Sequence, residues 1–364
     1  MTRAVTKPVA RPVTGMLWIA LAATLMSACG SGGGSAADDP TAGHEPGRAA
    51  QNAQPADVLA GPPAPGNPLA GKPFFVDSSG PAVVQVAQWE AQRKADADQI
   101  RKIADRPVAL WIGGGSGAVD AKVDAIIGRA AAKGQLPILV AYNIPHRDCG
   151  NFSAGGAASA DEYRAWIRSF AAGIKGRPAV VILEPDAVPH AVEGCADGPD
   201  RLALLADAVG VLKAAGSASV YIDAGHSHWI TDVKRLASAL QKAGVASADG
   251  FALNVSNFIV TSENLSYGNR VSDALGGKAH FVIDTSRNGA GPLPGTGDVN
   301  GGPRWCNPPG RLLGQAPTAD TGQQRLDALL WIKRPGESDG ACRPGEPEAG
   351  QWWPDYALDL AKRS

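Results

Sequence analysis

Seven short runs of apolar, largely β-branched residues recur along the chain, at Val108–Ile112, Pro137–Tyr142, Ala179–Leu183, Ala218–Ile222, Gly250–Val255, Ala279–Ile283 and Ala328–Ile332. Alanine-rich stretches with apolar positions at helical spacing lie between them: Val119–Lys133, Asp161–Lys175, Asp200–Ala215, Thr231–Ala243 and Thr261–Leu275. Strand alternating with helix predicts parallel strands joined by right-handed crossovers. The strand runs are apolar throughout rather than at every second position, as in strands covered on both faces. A doubly wound sheet and a (β/α) barrel both satisfy this pattern. No internal repeat is visible.

The ends of the apolar runs carry the chemistry. They close on Trp111, on Tyr142 with Asn143, on Glu184 and then Asp186, on Asp223, on Asn254, on Asp284 and on Lys333. In a closed parallel barrel these C-terminal ends meet on one face. Asp148 lies just beyond one of them, so four aspartates (Asp148, Asp186, Asp223 and Asp284) are candidates for a shared site. Glycosidic cleavage needs one carboxylic acid to protonate the leaving oxygen and a second carboxylate to activate water or attack carbon. Crowded acids supply the first, because like charges disfavour ionisation and keep one proton on near neutrality. Taken singly, each aspartate is better explained by bonds to backbone amides or by pairing with Arg147 or Arg287.

Composition narrows the partners. The chain has 364 residues, enough for one barrel plus extensions, and a net charge of −1. Arg3, Lys7 and Arg11 precede the apolar run Met16–Ala28, which is too short to span a bilayer comfortably and reads as an export signal over residues 1–28. Its removal would lower the net charge by three, to −4, which gives no attraction to nucleic acid or to an anionic membrane. Ser27, Ala28, Cys29 and Gly30 fit two kinds of processing, a lipoprotein site with Cys29 lipidated and simple secretory cleavage near Ala28. The expected location is outside the cytoplasm, with the membrane involved only through that N-terminal lipid. Residues 29–66 are mostly Gly, Ala, Pro, Ser and Asp and read as a flexible tether, with the catalytic domain at 67–364. Cys149, Cys195, Cys306 and Cys342 form an even set in an exported chain, which favours two disulfides. Three connectivities are open, Cys149–Cys195 with Cys306–Cys342 being the most local. A four-cysteine zinc site is the rival, weakened by the lack of any C-x-x-C spacing.

Other motifs give less. Asp223, His226 and His228 could ligate a metal, but no fourth ligand with helical spacing accompanies them. Gly225, His226 and Ser227 resemble a nucleophile elbow, except that Trp229 stands where a second glycine is required. The glycine-rich Gly113–Gly117 lacks the Lys-Ser/Thr of a phosphate loop. Neither a metal nor an organic cofactor is expected, and a monomer is the default. Trp111, Trp229 and Trp305 fall in or beside strand-end loops, where indole rings can stack on sugar faces.

Jointly, Tyr142–Asn151, Glu184–Asp186, Asp223–Ser227, Asn254–Asn257, Asp284–Gly289, Trp305 with Cys306, and Trp331–Glu337 resemble glycoside hydrolase family 6, in that family's order, over the chain from about Lys72 onward. The resemblance implies a distorted, TIM-like (β/α) barrel of about seven parallel strands and inverting hydrolysis of β-1,4-glucan. It implies Asp186 as general acid, Asp148 as the group that raises its pKa, Asp284 as candidate base, and Tyr142 as the residue pressing on the sugar at the cleavage point. Asp223, Asn254, Trp111, Trp229, Trp305, Lys333 and Glu337 would contact substrate, and the two local cysteine pairs match the family's disulfides. Two departures stand out: Phe258–Val260 replaces a stretch that often ends in Trp, and Ala187–His190 after the acid is unusual. Loops after Asp284 and before the C-terminus look short, which points to an open cleft and endo cutting. The alternatives are a cellobiohydrolase acting at chain ends and a catalytically weakened carbohydrate-binding lipoprotein. No cellulose-binding module is visible, so weak action on crystalline cellulose is expected.

Overall fold

The structure is a computed structural model that describes residues 59–364 except 115–117 and 196–197. The export signal, Cys29 and most of the tether lie outside the described residues. The described chain runs α1 (Pro81–Trp89), α2 (Lys94–Ala104), β1 (Leu110–Gly113), α3 (Val119–Ala132), β2 (Ile138–Tyr142), α4 (Ala160–Ile174), β3 (Ala179–Leu183), α5 (Ala187–Glu193), α6 (Gly198–Ala214), β4 (Ala218–Asp223), α7 (Val233–Lys242), β5 (Gly250–Leu253), α8 (Thr261–Ala274), β6 (His280–Asp284), β7 (Leu326–Leu330) and α9 (Pro354–Lys362). Seven parallel strands pair in chain order, β1 through β7. This is the distorted TIM-like barrel that the resemblance implies; the doubly wound alternative, whose strand order reverses, is excluded.

Period-two alternation sorts each strand into two environments. Val140, Ile182, Tyr221, Ala252, Val282 and Leu330 turn into one cluster inside the curled sheet. Leu139, Val181, Val220, Phe251, Ile283 and Leu329 face the helices. Both sets are buried, which is why the strands read as continuously apolar. Among the described residues no β7–β1 ladder closes the barrel; the gap is bridged by the Ala109 amide donating to the Trp331 carbonyl at 2.9 Å and the Trp111 indole N–H to the Ile332 carbonyl at 2.8 Å. A register shift between β6 and β7 at Phe281/Val282 falls opposite Asp327. That buried carboxylate accepts from Tyr221 Oη (2.7 Å) and faces His280 Nδ1 (2.8 Å), so the irregularity leaves no polar group orphaned.

Local signals set the helix starts. Ser159 caps α4 by accepting from the Glu162 amide, and Asp232 caps α7 by accepting from the Lys234 and Arg235 amides. Helix α5 contains Pro189, yet the ring sits in its first turn, where a missing N–H costs nothing. The tether ends earlier than residue 66. Leu59 already exchanges two hydrogen bonds with the Gln315 side chain, and Gly61 bridges to Thr321, because these backbone groups find partners on the domain.

Candidate active site

The strand ends do converge, but the four aspartates differ in what surrounds them. Asp186 follows β3 and stands at the N-terminus of α5 with φ of 69°. Glu184, two residues earlier, also has positive φ, and so do His146, Asp148 and Cys149 in the turn after β2. Left-handed backbone at non-glycine residues costs of order 1–3 kcal/mol each and persists only where the surroundings enforce it. Here Glu184 enforces it. Its fully buried carboxyl takes the Asn143 amide at 2.9 Å and the Ile144 amide at 2.9 Å, stapling the end of β3 to the end of β2. Burial pushes its pKa up to about 7.

Asp148 reaches the same point from the β2 side. Its Oδ2 accepts the Ser153 amide at 2.8 Å, leaving Oδ1 to face inward. Carboxylate oxygens of Asp148 and Asp186 and a ring nitrogen of His190 all lie within 4.8 Å of one another. Asp223 lies behind, fully buried, with Oδ2 accepting the Asp186 amide at 2.7 Å. Burial first, and then the charges of Asp223 and Asp148, drive the Asp186 pKa well above the ordinary carboxylate range. Asp223 is raised by burial too, but the amides of Asp186, Gly225 and Ala224 pull it back. Of this pair Asp186 therefore keeps the proton and Asp223 the charge. The phenol of Tyr142, at the end of β2, stays protonated, because burial and the neighbouring Asp186 and Asp148 raise it. Its ring is clamped between Arg147, 4.5 Å above it, and the edge of Trp111 at 5.1 Å.

Asp284 has a different setting. It is fully buried, and four backbone amides point at its carboxylate: Ser286 (2.9 Å) and Ile332 (3.2 Å) at Oδ1, Ser256 (3.0 Å) and Lys333 (2.9 Å) at Oδ2. It ties together the chain after β5, β6 and β7. Asn254 is fully buried as well, its amide donating to the Asp284 carbonyl at 2.7 Å and its Oδ1 accepting the Ile259 amide at 3.0 Å. Neither presents a free polar edge to a groove.

A carboxylate outside the sequence-based set stands beside Lys333. Asp339 is ion-paired to buried Arg287 at 2.9 Å and lies 3.5 Å from Lys333 Nζ. Those two cations hold it ionised, below the usual carboxylate range in spite of burial. Lys333 in turn is close enough to lower the pKa of Asp186, so it links the two carboxyls. Asp339 lies two residues beyond the Trp331–Glu337 motif, in a loop rather than at a strand end.

The sequence profile described as "Glycosyl hydrolases family 6" matches residues 69–364. The chain belongs to this family. It is 46% identical over 293 residues to "Endoglucanase A" of Cellulomonas fimi, covering 80% of this chain and 61% of that protein. It is also 46% identical over 299 residues to "Endoglucanase A" of Thermobispora bispora, covering 79% of this chain and 62% of that protein. The chain thus spans somewhat over three-fifths of the length of these curated relatives. Among solved structures, that of the endoglucanase Cel6 from Mycobacterium tuberculosis, in complex with methyl-cellobiosyl-4-deoxy-4-thio-β-D-cellobioside, has 43% identity and a TM-score of 0.75, covering 82% of this chain and 99% of that one.

In this family 6 chain the cysteines pair as Cys149–Cys195 and Cys306–Cys342, with Cα separations of 6.2 and 6.5 Å, which excludes the four-cysteine zinc site. Each disulfide anchors a loop at the strand-end face. Phe152, 40% exposed on the first loop, meets Trp305, 47% exposed on the second, edge to face at 5.8 Å. A Cβ on Gly340 would lie 2.7 Å from the Phe152 side chain, so Phe152 rests directly on that glycine. The two disulfide-tied loops touch here, a contact not foreseen in an open cleft with short loops. Trp229 packs against His190 at 5.0 Å. His228 pairs with Glu263 at 2.8 Å, and Ser227 donates to the same carboxylate, so this turn is fastened to α8; among the described residues Asp223, His226 and His228 do not form a metal-ligating group. Glu337 is buried against Arg334. A separate cavity of about 560 Å³, lined by Asn143, Arg147 and Trp166 among others, contains none of the four aspartates.

Proposed function

We propose that the chain hydrolyses internal β-1,4-glucosidic bonds of cellulose-type glucans with inversion at the anomeric carbon, as an endo-β-1,4-glucanase. The observation that carries this reading is Asp186: a half-buried carboxyl kept protonated by burial and by the charges of Asp223 and Asp148, at the strand-end face of a family 6 barrel. In this reading Asp186 protonates the glycosidic oxygen. Asp148 supplies the neighbouring negative charge that holds the proton on until the sugar arrives. Tyr142, rigidly clamped, presses on the ring at the cleavage point. Trp111, Trp229 and Trp305 offer apolar faces to flanking sugars, with Lys333 and Glu337 for hydroxyls.

For the base, the surroundings favour Asp339 over Asp284. A water-activating carboxylate has to be ionised and to keep a lone pair for the water. Asp284 has both oxygens committed to amides, while Asp339 takes the Arg287 guanidinium and the Asn307 amide on Oδ2, keeps Oδ1 on the side of Lys333, and is held ionised by the two cations. Asp284 and Asn254 then act as struts that place Lys333, and Asp223 positions the Asp186 backbone. Deletion of the base by Asp339→Ala, assayed with added azide, tests this assignment: an α-glycosyl azide product supports it. Azide rescue in Asp284→Ala alone would reverse it.

The endoglucanase relatives, at 46% identity, support internal cutting. A second reading, release of cellobiose from chain ends, draws on the Phe152–Gly340 contact, which joins the two loops. Anomer and size analysis of the products from cellopentaose, with viscosity loss on carboxymethyl cellulose, separates the readings. The α-anomer and a rapid fall in viscosity support the first. Steady cellobiose with little viscosity loss supports the second, and a retained β-anomer overturns inversion. A weakened binding protein would release no reducing sugar at all. Two disulfides and family 6 membership are consistent with an extracellular site of action. Attachment through a lipid on Cys29 is a proposal that mass analysis of the membrane fraction checks.

A further inference from the structure

His190 stands one helical turn after Asp186, and its own amide donates to the Asp186 carbonyl at 3.0 Å. The side chain is only 11% exposed, and Nε2 is buried with no hydrogen-bond partner, Asp148 Oδ1 lying 3.5 Å from it. A polar atom left so costs free energy unless a partner arrives in the working state. Asp148 is prepared to be that partner, since its Oδ2 is already fixed by the Ser153 amide and only Oδ1 remains to turn toward the ring. Two contacts stop the imidazole from swinging elsewhere. It meets Trp229 in a T-shaped pair with centroids 5.0 Å apart, and the preceding Pro189 is seated so closely on Gly225 that a Cβ there would come within 2.8 Å.

We propose that His190 is a positioning residue for the proton donor: with its proton on Nε2, it holds the Asp148 carboxylate in place beside Asp186. The inference rests on reading Asp186 as general acid, and deepens it. His190 touches neither the glycosidic oxygen nor the attacking water. It acts through Asp148, whose charge counts only if its oxygen stays near the acid. Trp229, a stacking platform in this reading, shares the same ring, so sugar binding and the placement of Asp148 are mechanically joined.

The test compares two substrates. Cellopentaose needs a protonated leaving oxygen, whereas 2,4-dinitrophenyl β-cellotrioside departs without one. His190→Phe keeps the ring packed against Trp229 and removes Nε2. The expected result is a loss of about ten-fold in kcat on cellopentaose, mid-range for coupled neighbours, with KM unchanged and the dinitrophenyl substrate within about three-fold of wild type. His190→Gln, which retains a donor, recovers part of the loss. Equal losses on both substrates, or a change confined to KM, would assign His190 to packing alone and overturn the proposal. A cycle of His190→Asn with Asp148→Asn gives a second measure, which also serves if the Phe variant does not fold. The double variant should be scarcely worse than Asp148→Asn, and additive losses overturn the inference. Asp186→Asn on the same substrates keeps the two readings apart. If it shows no leaving-group difference, the donor assignment itself fails; if it does and His190 variants do not, only the present inference fails.

Discussion

Asp284→Asn separates a strut from a catalyst. In the wild-type fold each carboxylate oxygen accepts two backbone amides, at 2.9 and 3.2 Å on Oδ1 and 3.0 and 2.9 Å on Oδ2, in a place with no solvent access. An asparagine can present one oxygen to one of these pairs. Its NH2 group then confronts the other pair, so two buried N–H donors lose their acceptor. At about 1–3 kcal/mol for each stranded buried donor, the cost is on the order of 2–6 kcal/mol. That is a large part of the roughly 5–15 kcal/mol that holds a domain folded. At about 2–4 °C per kcal/mol, the melting temperature should fall by roughly 5–20 °C. Differential scanning calorimetry reads this directly, and urea titration gives the same quantity at fixed temperature. Kinetics measured well below the lowered transition should show KM rising along with the loss of kcat, since Lys333 is placed by this carboxylate. A variant that melts within about 1 °C of wild type yet has lost turnover would refute the reasoning, for it would mean that Asp284 has an oxygen free for chemistry.

Asp186→Asn should lower kcat on cellopentaose by roughly 10² or more, the usual loss when a general acid is removed, with KM little changed; steady-state kinetics checks it. Asp148→Asn removes a charge that helps keep Asp186 protonated, so the acid should lose its proton at lower pH, and the alkaline limb of kcat/KM should move to lower pH. An unmoved limb in the pH–rate profile counts against the proposed proton balance. Phe152→Ala parts the two disulfide-tied loops and should increase viscosity loss per bond cut on carboxymethyl cellulose, with at most about 1 kcal/mol lost in stability because the ring is already partly exposed. Products and viscosity unchanged from wild type would show that the loops separate freely without it.

Much of the fold was legible because it depends on periodicity. All seven strands lie where the apolar runs predict, and the five expected helices fall within two residues of their predicted ends. The largest displacement is at β7, which spans Leu326–Leu330 rather than reaching Ile332. Trp331 and Ile332 extend the apolar run, but the chain has left the ladder there: Trp331 is core packing, and the Ile332 amide turns to Asp284. Helix α5 escaped notice because seven residues with an internal proline look like a break until the ring is placed in the first turn. The two cysteine pairings followed from the resemblance and from their proximity in sequence.

The residue types that gather at the strand ends could be read from the chain alone, since parallel strands in a barrel bring all their C-terminal ends to one face. Division of labour among the carboxylates was decided only by tertiary structure. A pKa and a free lone pair depend on burial, on which amides converge and on which cations stand alongside, and such neighbours come from strands far apart in the chain. So Asp284 and Asp186, alike in sequence as acids at or just after a strand end, have different surroundings, and Asp339, in a loop, holds the charge beside Lys333 and Arg287.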